Sequence, residues 1–205
     1  MKVVLATRND HKVREMLDIL KDLREIEFLP LKQFPDSPEV LENGETLRAN
    51  AILKAQHAAD STGLLSLAED TGLEIDALEG RPGVRSARFA GEQASYEQNV
   101  DKVLRLLQGA PERERGARFR CVVAIAEPGS SPHLFEGVCQ GRILSQRRGT
   151  GGFGYDPIFQ PDGYRESFAK MKPELKNRIS HRARALEKAR SCLEELASKK
   201  RRGFR

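Results

Sequence analysis

The sequence predicts a mixed α/β fold, with a central mixed sheet flanked by helices. Three observations carry this expectation. Short apolar strand patterns alternate with helical periodicity through the first half of the chain. Two longer strand patterns, residues 117–127 and 133–145, meet across a "PGSSP" turn and form an antiparallel hairpin. No internal repeat and no linker divides the 205 residues, a length that suits one domain of good size in two lobes.

Residues 2–6, "KVVLA", form a short buried strand that stops at "TRNDHK". From Asn9 onward Val13, Met16, Leu17, Leu20 and Leu23 recur at helical spacing, with Asn9 as the N-cap. The chain therefore begins strand, loop, helix, and the loop lies at the carboxyl end of a strand, where open α/β sheets bind ligands. Residues 26–30, "IEFLP", form a second strand, and the turn-rich, acidic stretch 35–45 a loop. Residues 46–60, rich in alanine and leucine, form a helix. "LLSLAED" (64–70) is a strand ending in two acids. A tight "TG" turn separates it from a further strand, "LEIDAL" (73–78). Residues 79–94 make a glycine-rich excursion. Ser95 with Gln98 forms a capping box before a helix whose stripe is Tyr96, Val100, Val103, Leu104 and Leu107. After the hairpin come a second glycine-rich run, "RRGTGGFGYDPIF" (147–159), and a last helix over 180–198.

Composition excludes several classes. Apolar residues make up 39% and charged residues 32%, the balance of a soluble globular chain rather than a membrane or disordered one. No apolar run approaches the ~18–20 residues of a membrane span. The start "MKVVLATRND" turns polar too soon for a signal peptide. Cys121, Cys139 and Cys192 show no C-x-x-C pair and no zinc spacing, so we read them as reduced thiols of a cytoplasmic protein. The net charge is +5, and Lys199, Lys200, Arg201, Arg202 and Arg205 equal the whole excess. Residues 199–205 are therefore a basic tail behind a domain of residues 1–198. The tail is either a solvated end or a phosphate-neutralising arm for nucleic acid.

Gly149, Gly151 and Gly154 match the G-x-G-x-x-G spacing of a dinucleotide loop. That fingerprint needs a strand before it and a helix after it. Here "SQRRGT" precedes it, and Pro157 interrupts any helix that would follow. A surface turn, or a loop that lets the backbone pass close to a flat ligand touched by Phe153 and Asp156, remains open.

Three further sets are able to carry chemistry. Thr7, Asn9 and Lys12 sit at a helix start, where free backbone N–H groups and a positive end favour phosphate, or else form an ordinary cap with an exposed lysine. Glu42, Glu69 and Asp70 offer hard oxygens of the kind Mg²⁺ takes beside a triphosphate, or a solvated turn. Lys54, Lys176, His181 and Arg182 are cations able to clamp phosphate, and Asn50 and Lys54 share one helix face at i, i+4. Taken together they describe a nucleoside triphosphate site without a P-loop.

In order, "LATRNDHK", "ENGETLRANAILKA", "AEDTGLEIDAL", "PGVRSARFAG", "GTGGFGYDPIF" and "SHRARAL" resemble the motifs of the inosine/xanthosine triphosphate pyrophosphatases, from about residue 3 to 190. The resemblance implies an elongated mixed α/β fold of two lobes around a substrate cleft, a homodimer and a requirement for Mg²⁺. It implies hydrolysis of ITP, dITP and XTP between the α- and β-phosphates, releasing the monophosphate and pyrophosphate. Carried over residue by residue, the run Thr7, Arg8, Asn9, Asp10, His11 and Lys12 would meet the triphosphate. Glu42, Glu69 and Asp70 would hold the metal. Asp70 would be the catalytic acid that activates water, with Lys54 beside it and Thr71 touching the substrate. Lys54 and Lys176 would neutralise phosphate. Phe153, Gly154, Tyr155, Asp156, His181 and Arg182 would surround the base, with Asp156 either accepting from N1–H or bracing the loop. Arg8 and His11 stand where the family often has glycine, and Glu69 where an aspartate is common. The rival readings are a pyrophosphatase for other modified nucleotides and a nucleic-acid-binding protein, which leaves the acid set without an account.

Overall fold

The computed structural model describes residues 1–38 and 40–203. Its strands are β1 (Lys2–Leu5), β2 (Glu27–Pro30), β3 (Leu65–Ile75), β4 (Pro82–Gly83), β5 (Gly116–Ala126), β6 (His133–Ile143) and β7 (Phe159–Pro161). Its α-helices are α1 (Asp10–Leu20), α2 (Leu47–Thr62), α3 (Tyr96–Leu106), α4 (Pro173–Ile179) and α5 (His181–Arg202). The sheet order is β2-β1-β3-β5-β6-β7, with β4 paired to β3. β1 runs parallel to both β2 and β3, whereas β3–β4 and β6–β7 are antiparallel. The mixed α/β expectation holds. Among the described residues no helix is long and apolar enough to cross a membrane.

The helix starts follow their sequence signals. Asn9 caps α1 by accepting from the backbone N–H of His11 and Lys12. Thr46 caps α2 by accepting from Ala49 N–H, and Gly63 closes that helix in the left-handed conformation at φ 68°. The Ser95–Gln98 capping box is made in both directions.

The chain forms two compact units. The first comprises Met1–Asp70, Cys121–Gly137 and the chain from Arg182 onward. Val3 and Leu5 of β1, Met16 and Leu20 of α1, Leu67, Val123 and Ile125, and Leu186 and Leu193 of α5 build its core. The second comprises Thr71–Arg120 and Val138–His181. Its core gathers Leu73, Ile75, Val103, Phe119, Phe159 and Phe168.

Three elements differ from expectation. The "TG" at Thr71–Gly72 is no turn, for β3 runs unbroken from Leu65 to Ile75. A strand tolerates one glycine, and here the flanking Leu67, Leu73 and Ile75 are fully buried, which fixes the extended path. The helix expected over 180–198 is preceded by the separate helix α4, which opens on Pro173 where the missing N–H costs nothing. Ser180, extended at ψ 161°, divides α4 from α5. The basic tail is helical through Arg202, and Arg201 meets Glu25 at 2.6 Å. Arg205 lies outside the described residues.

Candidate active site

The first unit gathers the residues of the α1 start and the acidic residues. β1 ends at Leu5, and the loop turns directly into α1. Thr7 Oγ1 accepts from Asn9 N–H at 3.2 Å, and Asn9 Oδ1 accepts from His11 N–H at 3.0 Å and Lys12 N–H at 3.3 Å. The loop is thus a pre-tied helix start. Arg8 donates to Ser37 O at 2.9 Å. Asp10, on the exposed side, binds Lys32 at 2.6 Å, and that lysine holds its carboxyl below its ordinary value.

β3 places Glu69 and Asp70 on opposite faces, as successive strand residues must be. Each then enters its own network. Glu69 is fully buried. It receives Lys12 Nζ at 2.7 Å, Arg182 Nη2 at 3.2 and 3.3 Å, and Cys121 Sγ at 3.1 Å. Arg182, also buried, binds Glu15 through its other arm. Burial works against the charge on Lys12, but Glu69 and Asp70 outweigh it and raise the ammonium above its ordinary value. Arg182 is raised for the same reason, with Glu69 and Glu15 overriding desolvation. Two cations and two carboxylates therefore stand together, which is the condition under which buried charge is tolerated.

Asp70 faces α2. Its Oδ1 receives Lys54 Nζ at 2.9 Å and its Oδ2 receives Asn50 Nδ2 at 3.3 Å. The i, i+4 pair seen in the sequence thus serves both oxygens of one carboxylate. Burial pushes the Asp70 carboxyl up from its ordinary value; Lys54 and Lys12 pull it back without cancelling the rise, and Glu42 adds to it. A carboxylate so raised is a better proton acceptor than an exposed one. Glu42 reaches the same lysine, with Oε1 at 3.1 Å from Lys54 Nζ.

Among the described residues no group of three or more His, Cys, Asp and Glu side chains is arranged to hold a metal ion. What the three expected acids form is a pair and a separate member. Glu42 and Asp70 converge on one cationic atom, while Glu69 is committed to Lys12, Arg182 and Cys121. Two carboxylates whose oxygens already close around a positive charge suit Mg²⁺, which takes one or two carboxylates and completes its shell with water and phosphate.

The second unit holds the glycine-rich loop. Asp156 is buried. Its Oδ2 accepts from Phe153 N–H at 2.9 Å and from Lys176 Nζ at 2.5 Å. Lys176 also lies over the Phe153 ring, 5.0 Å from its centroid. Gly152 has φ 68°, and a Cβ there would meet the Asp156 carboxylate, so the loop closes only with glycine at that point. Gly154 is likewise left-handed at φ 62°. Tyr155 is buried and its hydroxyl donates to Ser86 O at 2.8 Å; burial raises its phenol. Phe153 itself is half-buried. His181 is buried and stacks on Phe119 at 4.5 Å between centroids. Thr71 lies at intermediate exposure on β3.

Three residues of the first unit escaped the sequence reading as site members. Asn50 was visible only as the neighbour of Lys54. Glu15 stands three residues after Lys12 and so on the same helix face. Cys121, on a strand distant in sequence, carried no local signal.

The model of the Ham1 family matches residues 3–192. The chain belongs to the Ham1 family. A dITP/XTP pyrophosphatase of Desulforamulus reducens is 51% identical over 196 residues, 96% of this chain and 97% of that relative. One from Geobacter sulfurreducens is 49% identical over 185 residues, 90% of this chain and 92% of its own. The structure of a HAM1 protein from Coxiella burnetii matches with a TM-score of 0.86 at 44% identity, covering 95% of this chain and 99% of that one. The Ham1 match takes in every residue of both networks, from Thr7 to Arg182, and leaves the basic tail outside.

Proposed function

We propose that this Ham1 protein hydrolyses the non-standard purine nucleoside triphosphates dITP, ITP and XTP to the monophosphate and pyrophosphate. The observation that carries the mechanism is Asp70: a buried carboxylate with a raised pKa, gripped by Lys54 and Asn50 and faced by Glu42 across the same lysine. The relatives named dITP/XTP pyrophosphatase support the substrate class.

The α1 start holds the triphosphate through Thr7 and Asn9 at the positive end of the helix, and Lys12 adds a full charge. Glu42 and Asp70 would hold Mg²⁺, which when bound would supply positive charge to the triphosphate oxygens. Asp70 takes a proton from water as the water oxygen bonds to the α-phosphorus; the bond to the bridging oxygen breaks and pyrophosphate leaves. Lys54 keeps that carboxylate aimed and adds charge beside the phosphate. Glu69 stays outside the chemistry. With Arg182 it fixes the Lys12 ammonium in place.

Phe153 supplies the aromatic face for the base. Stacking of this kind contributes about 1–3 kcal/mol but does not choose among bases. Selection falls to donors toward O6 of a 6-keto purine, from His181 and loop N–H groups, which adenine would leave unpaired at a cost of about 10⁴ in specificity. Asp156 braces the loop, since Phe153 N–H and Lys176 already occupy it.

A product assay tests the proposal. Purified protein is given ITP, dITP, XTP, GTP and ATP, with and without Mg²⁺, and pyrophosphate is scored against orthophosphate. Metal-dependent pyrophosphate from ITP, dITP and XTP, with little from ATP, is expected, and the GTP arm measures discrimination at the 2-amino group separately from that at O6. Orthophosphate as the product would overturn the bond assignment, and no turnover of any of the five would overturn the substrate class.

A further inference from the structure

Asn50 is 1% exposed, on the second turn of α2, and both ends of its amide are used. Its Oδ1 accepts from Gly44 N–H at 2.8 Å, and its Nδ2 donates to Asp70 Oδ2 at 3.3 Å. The orientation is dictated by chemistry. Gly44 N–H is a donor and needs an oxygen, which turns the NH₂ toward Asp70. Asn50 therefore only donates to that carboxylate.

Gly44 lies two residues after Glu42, on the segment that brings Glu42 to Lys54. That segment passes against the amide too closely for a side chain, since a Cβ on Gly44 would stand 2.6 Å from Asn50 Oδ1 and 2.9 Å from Ala49 Cβ. Upstream the same segment is tied again, with Arg8 donating to Ser37 O at 2.9 Å and Ser37 Oγ 2.8 Å from Ser61 Oγ on α2. The segment carrying Glu42 is thus anchored on both sides, and its downstream anchor is the residue that grips Asp70.

We propose that Asn50 is a positioning residue of the reaction: one buried amide that aims the Asp70 carboxylate and, through Gly44, sets the segment that carries Glu42. It touches no substrate and acts through Asp70, so the proposal rests on the hydrolysis assigned above. Lys54 orients one Asp70 oxygen and Asn50 the other. With both in place the carboxylate has no freedom to turn about its own bond. With Asn50 removed, Oδ2 loses its donor and the carboxylate swings about the Lys54 contact.

The test compares Asn50→Ala, which loses both arms, with Asn50→Asp, which keeps an oxygen for Gly44 N–H but sets an acceptor against Asp70. Pyrophosphate release from dITP gives kcat and KM, and thermal melting reports folding. Both variants are expected to lower kcat by about tenfold to a hundredfold, the scale of a lost hydrogen bond to a charged group. KM should move by less than about threefold, because the α1 phosphate contacts are untouched. A merely structural anchor for the Gly44 segment makes a different prediction, in which Asn50→Asp regains wild-type kcat. That rescue, or a loss confined to KM, overturns the proposal. Should Asn50→Ala melt below the assay temperature, Asn50→Asp decides alone, since it preserves the Gly44 contact. Wild-type protein inactive on dITP overturns the proposed function itself, whereas active wild type with a rescued Asn50→Asp overturns this inference only.

Discussion

Two glutamates near Asp70 carry their charge in opposite surroundings. Glu69 has no exposed surface and balances Lys12 and Arg182, while the Glu42 side chain keeps 39% exposure and touches Lys54. Removing one partner of a buried charge set costs about 3–5 kcal/mol, because the other charges remain buried without it. Glu69→Gln is therefore expected to lower the melting temperature sharply, and a melt within a degree of wild type would show the network to be dispensable. Glu42→Gln is expected to leave the melt near wild type and to cut turnover by at least tenfold, measured as pyrophosphate release at saturating dITP. Asp70→Asn keeps the Lys54 contact geometry but takes no proton. It should abolish turnover while dITP still binds in a calorimetric titration, and full activity in that variant would remove Asp70 from the mechanism.

At the scale of elements, local signals are legible in the sequence, and one dipeptide, Thr71–Gly72, departs from its turn signal. Asn9, Thr46 and the Ser95–Gln98 box all cap the helices expected of them, because a cap is written in two to four adjacent residues. Thr71–Gly72 read as a turn because glycine punctuates most sequences; burial on both sides carries the strand through it. The continuous strand puts Glu69 and Asp70 on opposite faces and so feeds two networks. The partners of each acid, Cys121 and Arg182 for one and Asn50 for the other, come from elements 20 to 113 residues away, which no local pattern encodes. The glycine loop was legible as a close backbone approach, but its direction was not, since the nearest obstruction at Gly152 is the loop's own Asp156. Gly152→Ala must both adopt φ 68° and displace that carboxylate from Phe153 N–H. We expect a higher KM for dITP with a smaller change in kcat, and an unchanged KM would separate the loop from base binding.

For the whole molecule, the apolar periodicities sufficed to place residues in a core but not to assign them to two cores, because β3 and β5 each contribute side chains to both. Leu67 belongs to the first core and Leu73 to the second, though they lie on one strand. Polar cross-links on the strands then add to stability. Glu74 of β3 accepts from Arg120 Nε at 2.8 Å and from Arg118 Nε at 2.5 Å. Burial works to raise its carboxyl, but the hydrogen bonds from Arg120 and Arg118 prevail and hold it below its ordinary 4.5. A carboxyl lowered in the folded state stabilises the fold above its unfolded pKa, and that contribution is lost as pH falls through the lowered value. The contribution is on the order of 1 kcal/mol, the scale of a partly exposed ion pair. Wild type should therefore melt above Glu74→Gln at pH 7, with the gap constant down to about the unfolded carboxyl pKa and closing below it. Melting curves of both proteins from pH 7 to pH 3 measure this directly. A gap that persists at the acid end would assign the role of Glu74 to packing of its stem instead of its charge, and a gap that opens on acidification would reverse the sign of the linkage.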